Sequence, residues 1–394
     1  MGADRAAWCG IGVLAAVLCF TGFLCPLQEP QEARYAEIPR QMLATGSFVV
    51  PVLHGQPYYD KPPVLYWLVM ASYAAFGVNE LAVRVVPCLA AFLTILILHA
   101  WGRRLVGARA AFIGSAILCL SPRFIQLDRM LTMDSLLCLW VVMGWACGHR
   151  ALADGRLHRG WWLAAALACG LGLLTKGPVA LILVLVPLLA FNWLDATAAR
   201  PRLRALAAFL AVSVGVAAPW FVAVALRDPS FVRYFFWQHH VQRFVDPFDH
   251  PEPWWFYLPE LFAGMMPWTL LVPGLFLVAV RRTSSPPAPR FLLVAALWCL
   301  AFFSLAGCKR SFYLLPAMPP LALALGWYLD HVYASRPIPR MAWLVGGAVA
   351  VLMVGGVTIF LPRYAERYSL HAEVGAQVAA AADPDVAVIC YPRR

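Results

Sequence analysis

Long apolar segments separated by short polar linkers dominate this sequence. They predict eleven membrane-spanning helices, near residues 8–26, 80–101, 110–122, 133–149, 160–175, 178–194, 205–226, 259–280, 291–306, 312–329 and 341–361. Most approach the roughly 20 residues that a helix needs to cross a ~30 Å hydrocarbon core. The pattern therefore predicts an all-α polytopic membrane protein.

One further apolar segment does not fit this series. Residues 62–77, PPVLYWLVMASYAAFG, would reach only about 24 Å as a helix, which is short of a ~30 Å hydrocarbon core. A crossing at this point would also invert the side of every linker that follows it. The segment is predicted to be a re-entrant or interfacial helix.

Composition and charge fix the class and the orientation. The mean hydropathy is +0.71 and 13% of residues are charged, against about 25% in soluble proteins. The net charge is +11, but arginines concentrate in every second linker, which is typical of cytoplasmic loops. They are Arg103, Arg104 and Arg109; Arg150, Arg156 and Arg159; Arg200, Arg202 and Arg204; Arg281, Arg282 and Arg290; and Arg336 and Arg340. The positive net charge is explained by the arginines of the cytoplasmic loops, and no nucleic-acid partner is expected.

The opposite, outer side then receives two long connections, residues 27–79 and 227–258. The first contains the polar run 28–63, QEPQEARYAEIPRQMLATGSFVVPVLHGQPYYDKPP. It predicts a helix that starts at Pro30, bends at Pro39 and ends at Gly46, followed by an extended segment and a turn at HGQP. Residues 229–244, PSFVRYFFWQHHVQRF, predict a second juxtamembrane element.

Lysine is rare, and its three positions are informative. Among 31 basic residues the lysines are Lys61, Lys176 and Lys309, and each lies beside a span end on the outer side. A compact ammonium at a membrane surface can bind a phosphate. It can equally extend toward lipid headgroups. Both interpretations are open at this point.

Three carboxylates on the outer side are candidates for acid–base chemistry. Glu32 lies in the first turn of the predicted helix, where the helix dipole keeps it ionised as a base, a cation ligand or a simple dipole partner. Asp128 and Asp134 lie at the outer end of a span, where carboxylates are costly and often functional. Asp128 can alternatively pair with Arg123 or Arg129. Asp134 is the weaker catalytic candidate of the two.

A metal site and an aromatic platform are further possibilities. Asp60 with His239 or His240 could bind a divalent cation, although a hydrogen-bonded interfacial histidine is the simpler interpretation. Adjacent helical residues point about 100° apart, so one of the two histidines should face the site. The aromatic residues Tyr58, Tyr59, Tyr66, Trp67, Trp254 and Trp255 suit an interfacial belt first and sugar stacking second. No cofactor is required, and a divalent metal is optional.

Several motifs, in this order along the chain to about residue 330, resemble those of one family. They are QEPQEARYAEIPRQMLATG, HGQPYYDKPPVLYWL, the turn at Asp128, LGLLTKGP, YFFWQHHVQRF and KRSFYLLPAMPPLAL. The sequence resembles the GT-C membrane glycosyltransferases that use polyprenyl-phosphate-linked sugars. Within them it is most similar to the bacterial group containing the 4-amino-4-deoxy-L-arabinose transferase of lipid A and the dolichyl-phosphate-mannose protein mannosyltransferase-like proteins.

The resemblance implies a GT-C helical bundle over residues 1–362, with its active site on the periplasmic face of a bacterial inner membrane. Residues 363–394 would begin an extracytoplasmic C-terminal domain that is cut short. Together with the positions of the lysines, the resemblance predicts Lys61, Lys176, Arg34, Arg243 and Lys309 as donor-phosphate ligands. The implied substrate-binding residues are Gln31, Tyr35, Tyr58 and Tyr59, and the implied catalytic residues are Glu32 and Asp128. Position 31 is usually aspartate in the family, and an amide there cannot act as a base.

The activity that follows is an inverting displacement at the anomeric carbon of the sugar. A polyprenyl-phosphate sugar would be the donor, and a lipid A-like glycolipid or a protein would be the acceptor. Membrane lipids surround the site. Two alternatives remain: a lipid-linked-sugar flippase or transporter, which predicts functional charges through the bilayer, and a catalytically inactive donor-binding homologue.

Overall fold

A computed structural model describes residues 2–24, 27, 31–247, 249–281, 287–334 and 339–368. Its helices are α1 (Gly2–Phe20), α2 (Gln31–Thr45), α3 (Val64–Phe76), α4 (Glu80–Leu105), α5 (Ala108–Cys119), α6 (Pro122–Asp128), α7 (Met133–Leu152), α8 (Arg159–Lys176), α9 (Val179–Leu194), α10 (Leu203–Arg227), α11 (Ser230–Val232), α12 (Arg243–Val245), α13 (Tyr257–Gly264), α14 (Val272–Arg281), α15 (Pro287–Leu305), α16 (Met318–Val332), α17 (Arg340–Gly355) and α18 (Leu361–Tyr368). Short 3-10 turns cover Thr21–Leu24, Trp268–Leu271 and Ser311–Ala317, and π-helical segments cover Arg233–Gln242 and Gly356–Phe360. The prediction of an all-α fold is confirmed.

Every predicted span overlaps a helix. Within the described residues, five helical segments are long and apolar enough to cross a membrane: Glu80–Leu105, Met133–Leu152, Leu203–Arg227, Ser311–Val332 and Leu344–Tyr364. Two bent pairs of helices raise the number to seven if each pair is one span. The chain is a multi-pass membrane protein.

The span predicted near 259–280 is bent. Helices α13 and α14 meet at an angle of 106° across a short break. Pro267 lies in this break, where it lacks the backbone N–H that would continue a helix. The span predicted at 110–122 is also bent, because α5 ends at Cys119 and α6 leaves it at 66°.

Small residues allow the central helices to pack closely. α5 packs against α16, α7 against α8, and α8 against α10. A Cβ atom on Gly326 would lie 2.3 Å from the carbonyl oxygen of Ala110, and one on Gly114 would lie 2.8 Å from the Cα of Leu323. The backbones of α5 and α16 therefore approach to a distance that only glycine permits, as is common between membrane helices.

The helix, its end at Gly46 and the turn predicted for the polar run in the first outer connection are present in the structure. Helix α2 continues through Pro39 and ends at Gly46, which has a φ of +66° that suits glycine. Strands β1 (Val52–Leu53) and β2 (Gln56–Pro57) form an antiparallel hairpin whose turn residues His54 and Gly55 have φ values of 53° and 74°. Both values fit the type I′ turns of tight hairpins. The predicted first residue of α2, Pro30, lies outside the described residues.

Helix α3 is the segment that was predicted not to cross. It has 13 residues, so it is about 20 Å long and shorter than the hydrocarbon core. It packs beneath α2 and against α4. The hydroxyl of Tyr73 donates to the carbonyl of Ala36 at 3.0 Å, which fixes α2 above it.

The second outer connection closes over residues 307–310. A bridge joins Pro251 and Cys308, and the N–H of Lys309 donates to the carbonyl of His250 at 3.1 Å. This places the π-helical segment and the loop after it opposite α2. Residues 369–394, most of the predicted C-terminal domain, lie outside the described residues, and α18 covers 361–368.

Candidate active site

A polar cavity of about 190 Å³ lies where the outer connections meet the ends of the central helices. It is lined by Gln31, Arg34, Tyr35, Tyr58, Asp60, Lys61, Met133, Asp134, Lys176, Tyr234, His239, Arg243, Asp249, Arg310 and Tyr313. Among these described residues, five are lysine or arginine, one is histidine and three carry a carboxylate. The cavity therefore attracts anions.

One ion pair of the cavity lies where the ends of two helices meet. Asp134 is in the first turn of α7 and Lys176 is the last residue of α8, and the two helices pack together. A carboxylate at a helix N-terminus and an ammonium at a C-terminus are each stabilised by the helix dipole. The Lys176 ammonium donates to the Asp134 carboxylate and also lies 3.9 Å from the ring centre of Tyr313. This arrangement fixes the ammonium at the cavity wall.

Lys61 reaches the same cavity from the first outer connection. Its ammonium donates to the backbone carbonyl of Asp60 at 3.0 Å. Burial lowers the pKa of Lys61 to about 8, with further lowering by Arg243 and Lys176, although Asp60 opposes the shift. An anion bound here would stabilise the charged form of the ammonium.

Asp60 is held in its ionised form. It accepts a hydrogen bond from the Tyr234 hydroxyl at 2.6 Å, and its carboxylate lies 3.2 Å from His239 Nε2. Burial opposes the charged form, but the hydrogen bond and charge of His239 outweigh burial and bring the pKa of Asp60 well below its usual range. Arg243 forms a two-bond ion pair with Asp249 at 2.7 and 2.9 Å. Each carboxylate in the cavity wall thus has a donor partner.

A second, apolar groove of about 510 Å³ opens from the polar cavity. The two share Lys61, Lys176, His239, Arg243 and Tyr313. The apolar part of the groove is formed by Pro178, Val179, Ile182, Phe236, Val241, Phe244, Val245, Phe302, Phe303 and Ala306. Three cations therefore stand at the junction between a polar chamber and an apolar channel, which suits an amphiphile with an anionic head.

The structure brings together most of the residues predicted for substrate binding. Arg34 contacts the Tyr58 hydroxyl, and Tyr35 contacts Gln31. Burial raises the pKa of Tyr58 and of Tyr35, so both phenols stay neutral and can donate hydrogen bonds. These four side chains line one wall of the polar cavity.

Both predicted catalytic carboxylates lie elsewhere. Glu32 is fully buried and paired with Arg84 at 2.5 and 3.0 Å, and it accepts the N–H of Leu131 at 2.6 Å. Asp128 is also fully buried and does not line the cavity. Asp134, which sequence reasoning ranked below Asp128, is the carboxylate that does. Helix α7 begins at Met133, and Asp134 in its first turn lies at the cavity wall.

Two other predicted ligands are outside the cavity. The Lys309 ammonium donates to the carbonyls of Ala306 and Glu252 at 2.5 and 2.8 Å. These two hydrogen bonds stabilise the loop that contains Lys309. The ring of Tyr59 packs on Phe231, with 5.4 Å between centroids. Neither side chain reaches the space between Lys61 and Lys176.

The structure brings together two of the three predicted metal ligands, Asp60 and His239. His239 faces Asp60, but both ring nitrogens of His240 lie at backbone carbonyls, 2.7 Å from Phe235 and 3.3 Å from Lys176. A Cβ on Gly177 would lie 2.6 Å from His240 Nε2, so glycine is needed there for the ring to fit. Among the described residues, no three His, Cys, Asp or Glu side chains are grouped so that they could hold a metal ion. The prediction that only one histidine faces the site agrees with this geometry.

Sequence reasoning missed Arg310, Tyr313, Tyr234 and Asp249, all of which line the cavity. Arg310 is adjacent to Lys309 in the motif KRSFYLLP. The sequence analysis selected Lys309 because lysine is rare, and it did not consider Arg310. The guanidinium of Arg310 contacts Gln31 at 3.1 Å and His250 at 2.8 Å. Its position next to a span end on the outer side was the sequence signal that could have identified Arg310 as a cavity residue.

Comparisons with known proteins agree with the geometry. Residues 60–224 match the family described as dolichyl-phosphate-mannose-protein mannosyltransferase. The chain is 38% identical to undecaprenyl phosphate-alpha-4-amino-4-deoxy-L-arabinose arabinosyl transferase 1 of Sodalis glossinidius, over 89% of this chain and 66% of that protein. It is 35% identical to arabinosyl transferase 2 of the same description from Pseudomonas fluorescens, over 87% of this chain and 61% of that protein.

A solved structure is similar over nearly the whole chain. It is the crystal structure of ArnT from Cupriavidus metallidurans bound to undecaprenyl phosphate, with a TM-score of 0.79 and 25% identity. The similarity covers 95% of this chain and 80% of that one. The chain spans slightly less than two thirds of the length of the two curated relatives it matches.

Proposed function

Because the chain belongs to the GT-C family of membrane glycosyltransferases, we propose that it transfers a sugar from a polyprenyl-phosphate carrier to an acceptor lipid. The observation that carries the proposal is the junction at Lys61, Lys176 and Arg243, where the polar cavity opens into the apolar groove. A polyprenyl-phosphate sugar has the same order of parts: an apolar chain, a phosphate and a sugar.

The donor fits this order as follows. The prenyl chain lies in the apolar groove between α9, α15 and the π-helical segment. The phosphate lies at the junction, where ammonium and guanidinium groups bind phosphate oxygens. The sugar lies in the polar cavity, whose volume of about 190 Å³ suits a single sugar unit. The relatives are named for undecaprenyl phosphate-linked 4-amino-4-deoxy-L-arabinose, and we propose a donor of this class.

The reaction is a single displacement that inverts the anomeric carbon. As the bond from that carbon to the carrier phosphate breaks, negative charge develops on the leaving oxygen. Lys61, Lys176 and Arg243 are already placed to stabilise this charge, which is how preorganised cations lower a barrier. The proposed acceptor is a lipid A-like glycolipid.

We place this site on the periplasmic face of a bacterial inner membrane. The arginine-rich linkers lie in alternate connections that do not contribute to the cavity, and the positive-inside rule assigns them to the cytoplasm. No cofactor is required in this proposal. Transfer that is unchanged by a chelator would agree with it.

The experiment is transfer by the purified chain in proteoliposomes. Radiolabelled undecaprenyl-phosphate aminoarabinose is the donor, a lipid A-type glycolipid is the acceptor, and mass spectrometry identifies the product. The proposal predicts transfer that falls strongly in Lys61→Ala and Lys176→Ala. Full activity in both variants would refute the phosphate assignment. Donor that crosses the bilayer without transfer would indicate a transporter, and bound donor without transfer would indicate an inactive homologue.

The distribution of charge already favours an enzyme over a transporter. The basic and acidic side chains of the cavity lie at one end of the helices, on α2, the ends of α7 and α8, and the outer loops. A transporter with alternating access places its functional charges near the middle of the bilayer.

A further inference from the structure

Two of the arginine-rich linkers meet at the end of the helices opposite to the polar cavity. Helix α8 carries Lys176 at the cavity and Arg159 at its other end, and its 18 residues make it about 27 Å long. The linkers are residues 153–158, between α7 and α8, and residues 195–202, between α9 and α10. Because a hydrocarbon core is ~30 Å thick, these linkers lie near the opposite surface of the membrane.

Backbone and side-chain hydrogen bonds join the two linkers. The N–H of Ala199 donates to the carbonyl of Leu152 at 2.7 Å, and both residues are buried. The indole N–H of Trp162, in the first turn of α8, donates to the carbonyl of Ala205, in the first turn of α10, at 2.9 Å. The linkers are therefore held side by side, so little ordering is needed when a ligand binds across them.

Arginines dominate the surface that the linkers form. Residues 150–160 and 195–204 together contain six arginines and two aspartates, which gives a formal charge of +4 with histidine neutral. Five of the arginines are exposed, and we call them the arginine patch: Arg156, Arg159, Arg200, Arg202 and Arg204. None of these five side chains has a hydrogen bond or an ion pair with another residue that the structure describes.

The carboxylates nearby do not neutralise the arginine patch. Asp154 lies 3.3 Å from His158 Nε2. Asp195 accepts hydrogen bonds from the N–H and the hydroxyl of Thr197, at 2.9 and 2.6 Å. Arg109, in the first turn of α5, differs from the patch because it pairs with an aspartate at 3.4 Å. The arginine patch thus keeps an uncompensated positive charge, which attracts anions.

Apolar side chains are interspersed with these arginines. Leu203, which lies between two arginines of the patch, is 84% exposed, and Trp193, in the last turn of α9, is 93% exposed. The guanidinium of Arg150 lies 4.0 Å from the ring centre of Trp161, which is also exposed. A soluble acidic ligand would leave these apolar side chains in water, whereas the acyl chains of a lipid would cover them.

We infer that the arginine patch binds the head group of an anionic phospholipid in the membrane leaflet opposite to the polar cavity. Guanidinium groups on both linkers donate to the phosphate oxygens, which suit their planar arrangement of N–H donors. Leu203 and Trp193 contact the acyl chains where they leave the head group. The inference is independent of the transferase function, because the patch and the cavity lie at opposite ends of α8.

The test is lipid binding to the detergent-purified full chain, measured by native mass spectrometry. The protein is titrated with cardiolipin, phosphatidylglycerol and zwitterionic phosphatidylethanolamine, separately and as an equimolar mixture. Two double variants each remove two charges from one side of the patch. They are Arg156→Gln with Arg159→Gln, and Arg202→Gln with Arg204→Gln. The control, Arg5→Gln with Arg104→Gln, removes two exposed arginines of α1 and α4 that lie outside the patch.

The wild type should retain the anionic lipids in preference to phosphatidylethanolamine. In each patch variant the Kd for the preferred anionic lipid should rise about 30-fold, since one arginine at a membrane surface contributes about fivefold to the affinity for anionic lipid. The control should bind this lipid as the wild type does. Affinity for the polyprenyl-phosphate donor should be unchanged in all variants, which checks that each of them is folded.

Four results would overturn the inference. They are equal retention of anionic and zwitterionic lipids by the wild type, an unchanged Kd in both patch variants, and an equal loss in the control, which would show an effect of net charge alone. The fourth is displacement of the bound lipid by an equal concentration of soluble polyglutamate, which would indicate an acidic soluble partner. Because the two patch variants change different linkers, each covers the case in which the other fails to fold.

Discussion

Glu32 and Arg84 form a two-bond ion pair, with distances of 2.5 and 3.0 Å, in a place closed to solvent. Arg84 is 3% exposed and Glu32 not at all. Arg84 also donates to the carbonyl of Arg129 at 3.0 Å. The pair therefore ties α2 to α4 and to the turn before α7, and it turns the neighbouring Gln31 toward the cavity.

Glu32→Gln should reduce stability more than it reduces catalysis. Removing one partner of a buried ion pair leaves the other charge buried, at a cost of about 3–5 kcal/mol. Thermal unfolding in detergent should show the loss, and the protein that remains folded should still bind donor. Glu37→Gln is the matched control because its partner Arg40 is about half exposed, and such exposed pairs contribute about 0–1 kcal/mol. If Glu32→Gln melted like the wild type and had lost only kcat, Glu32 would be catalytic after all.

The three lysines should separate into two classes. Lys61→Ala and Lys176→Ala each remove a cation from the junction of cavity and groove, so donor affinity should fall about 10- to 100-fold. Lys309→Met should change donor affinity little, because that ammonium is used by the carbonyls of Ala306 and Glu252. Equilibrium binding of a labelled polyprenyl-phosphate sugar measures all three. Equal losses in the three variants would contradict the site geometry.

Donor binding should weaken as the pH rises above 8. Lys61 has a pKa of about 8, so it is charged below that pH and neutral above it. A bound phosphate stabilises the charged form and raises the pKa, so binding takes up a proton. Affinity is then constant below pH 8 and falls by up to about tenfold per pH unit above it. The phosphodiester of the donor keeps one negative charge in this range, and titration of the amine of an aminoarabinose donor affects the wild type and Lys61→Arg alike. Lys61→Arg, which stays charged, should flatten the profile between pH 7 and 10, and an unaltered slope would exclude Lys61 as its origin.

The helical segments and turns could be predicted from sequence, because helix length and the effects of proline and glycine are local. The hairpin at His54–Gly55, the end of α2 at Gly46 and the short α3 all follow from such rules. The lysine count found Lys61 and Lys176 because both ammonium groups lie at helix or loop ends beside the membrane. The same rule selected Lys309, whose role depends on carbonyls that only the folded loop supplies.

The rest of the site depends on contacts between distant residues. Gln31 and Glu32 are neighbours on one helix, and which of them faces the cavity is decided by Arg84, 52 positions away from Glu32. Arg310 meets Gln31 across 279 positions. Helical periodicity cannot fix the rotation of a helix about its own axis when several of its faces are polar, so the sequence alone could not show that Glu32 lies outside the cavity.

Asp134→Asn should impair sugar transfer, whereas Asp128→Asn should leave it intact. Asp134 holds the Lys176 ammonium at the cavity wall, so its amide variant should lower kcat/KM about 10- to 100-fold by releasing that cation. Asp128 is fully buried, and its carboxyl group faces the hydroxyl of Ser135, which an amide could also contact. An amide there removes a potential buried charge, so stability should be equal or higher and transfer retained. Loss of transfer in Asp128→Asn at normal stability would return that residue to the active site.

The apolar groove should select for the length of the prenyl chain. Ile182 lines it, and Ile182→Trp would fill space that the groove offers to the donor tail. Because apolar burial grows with each added isoprene unit, the variant should weaken binding of an undecaprenyl donor about tenfold more than that of a donor with only two or three units. Leu226→Trp is the control, since Leu226 is 80% exposed on α10 and does not line the groove. Equal effects of Ile182→Trp on long and short donors would place the prenyl chain elsewhere, and would leave the lysine junction to bind a head group alone.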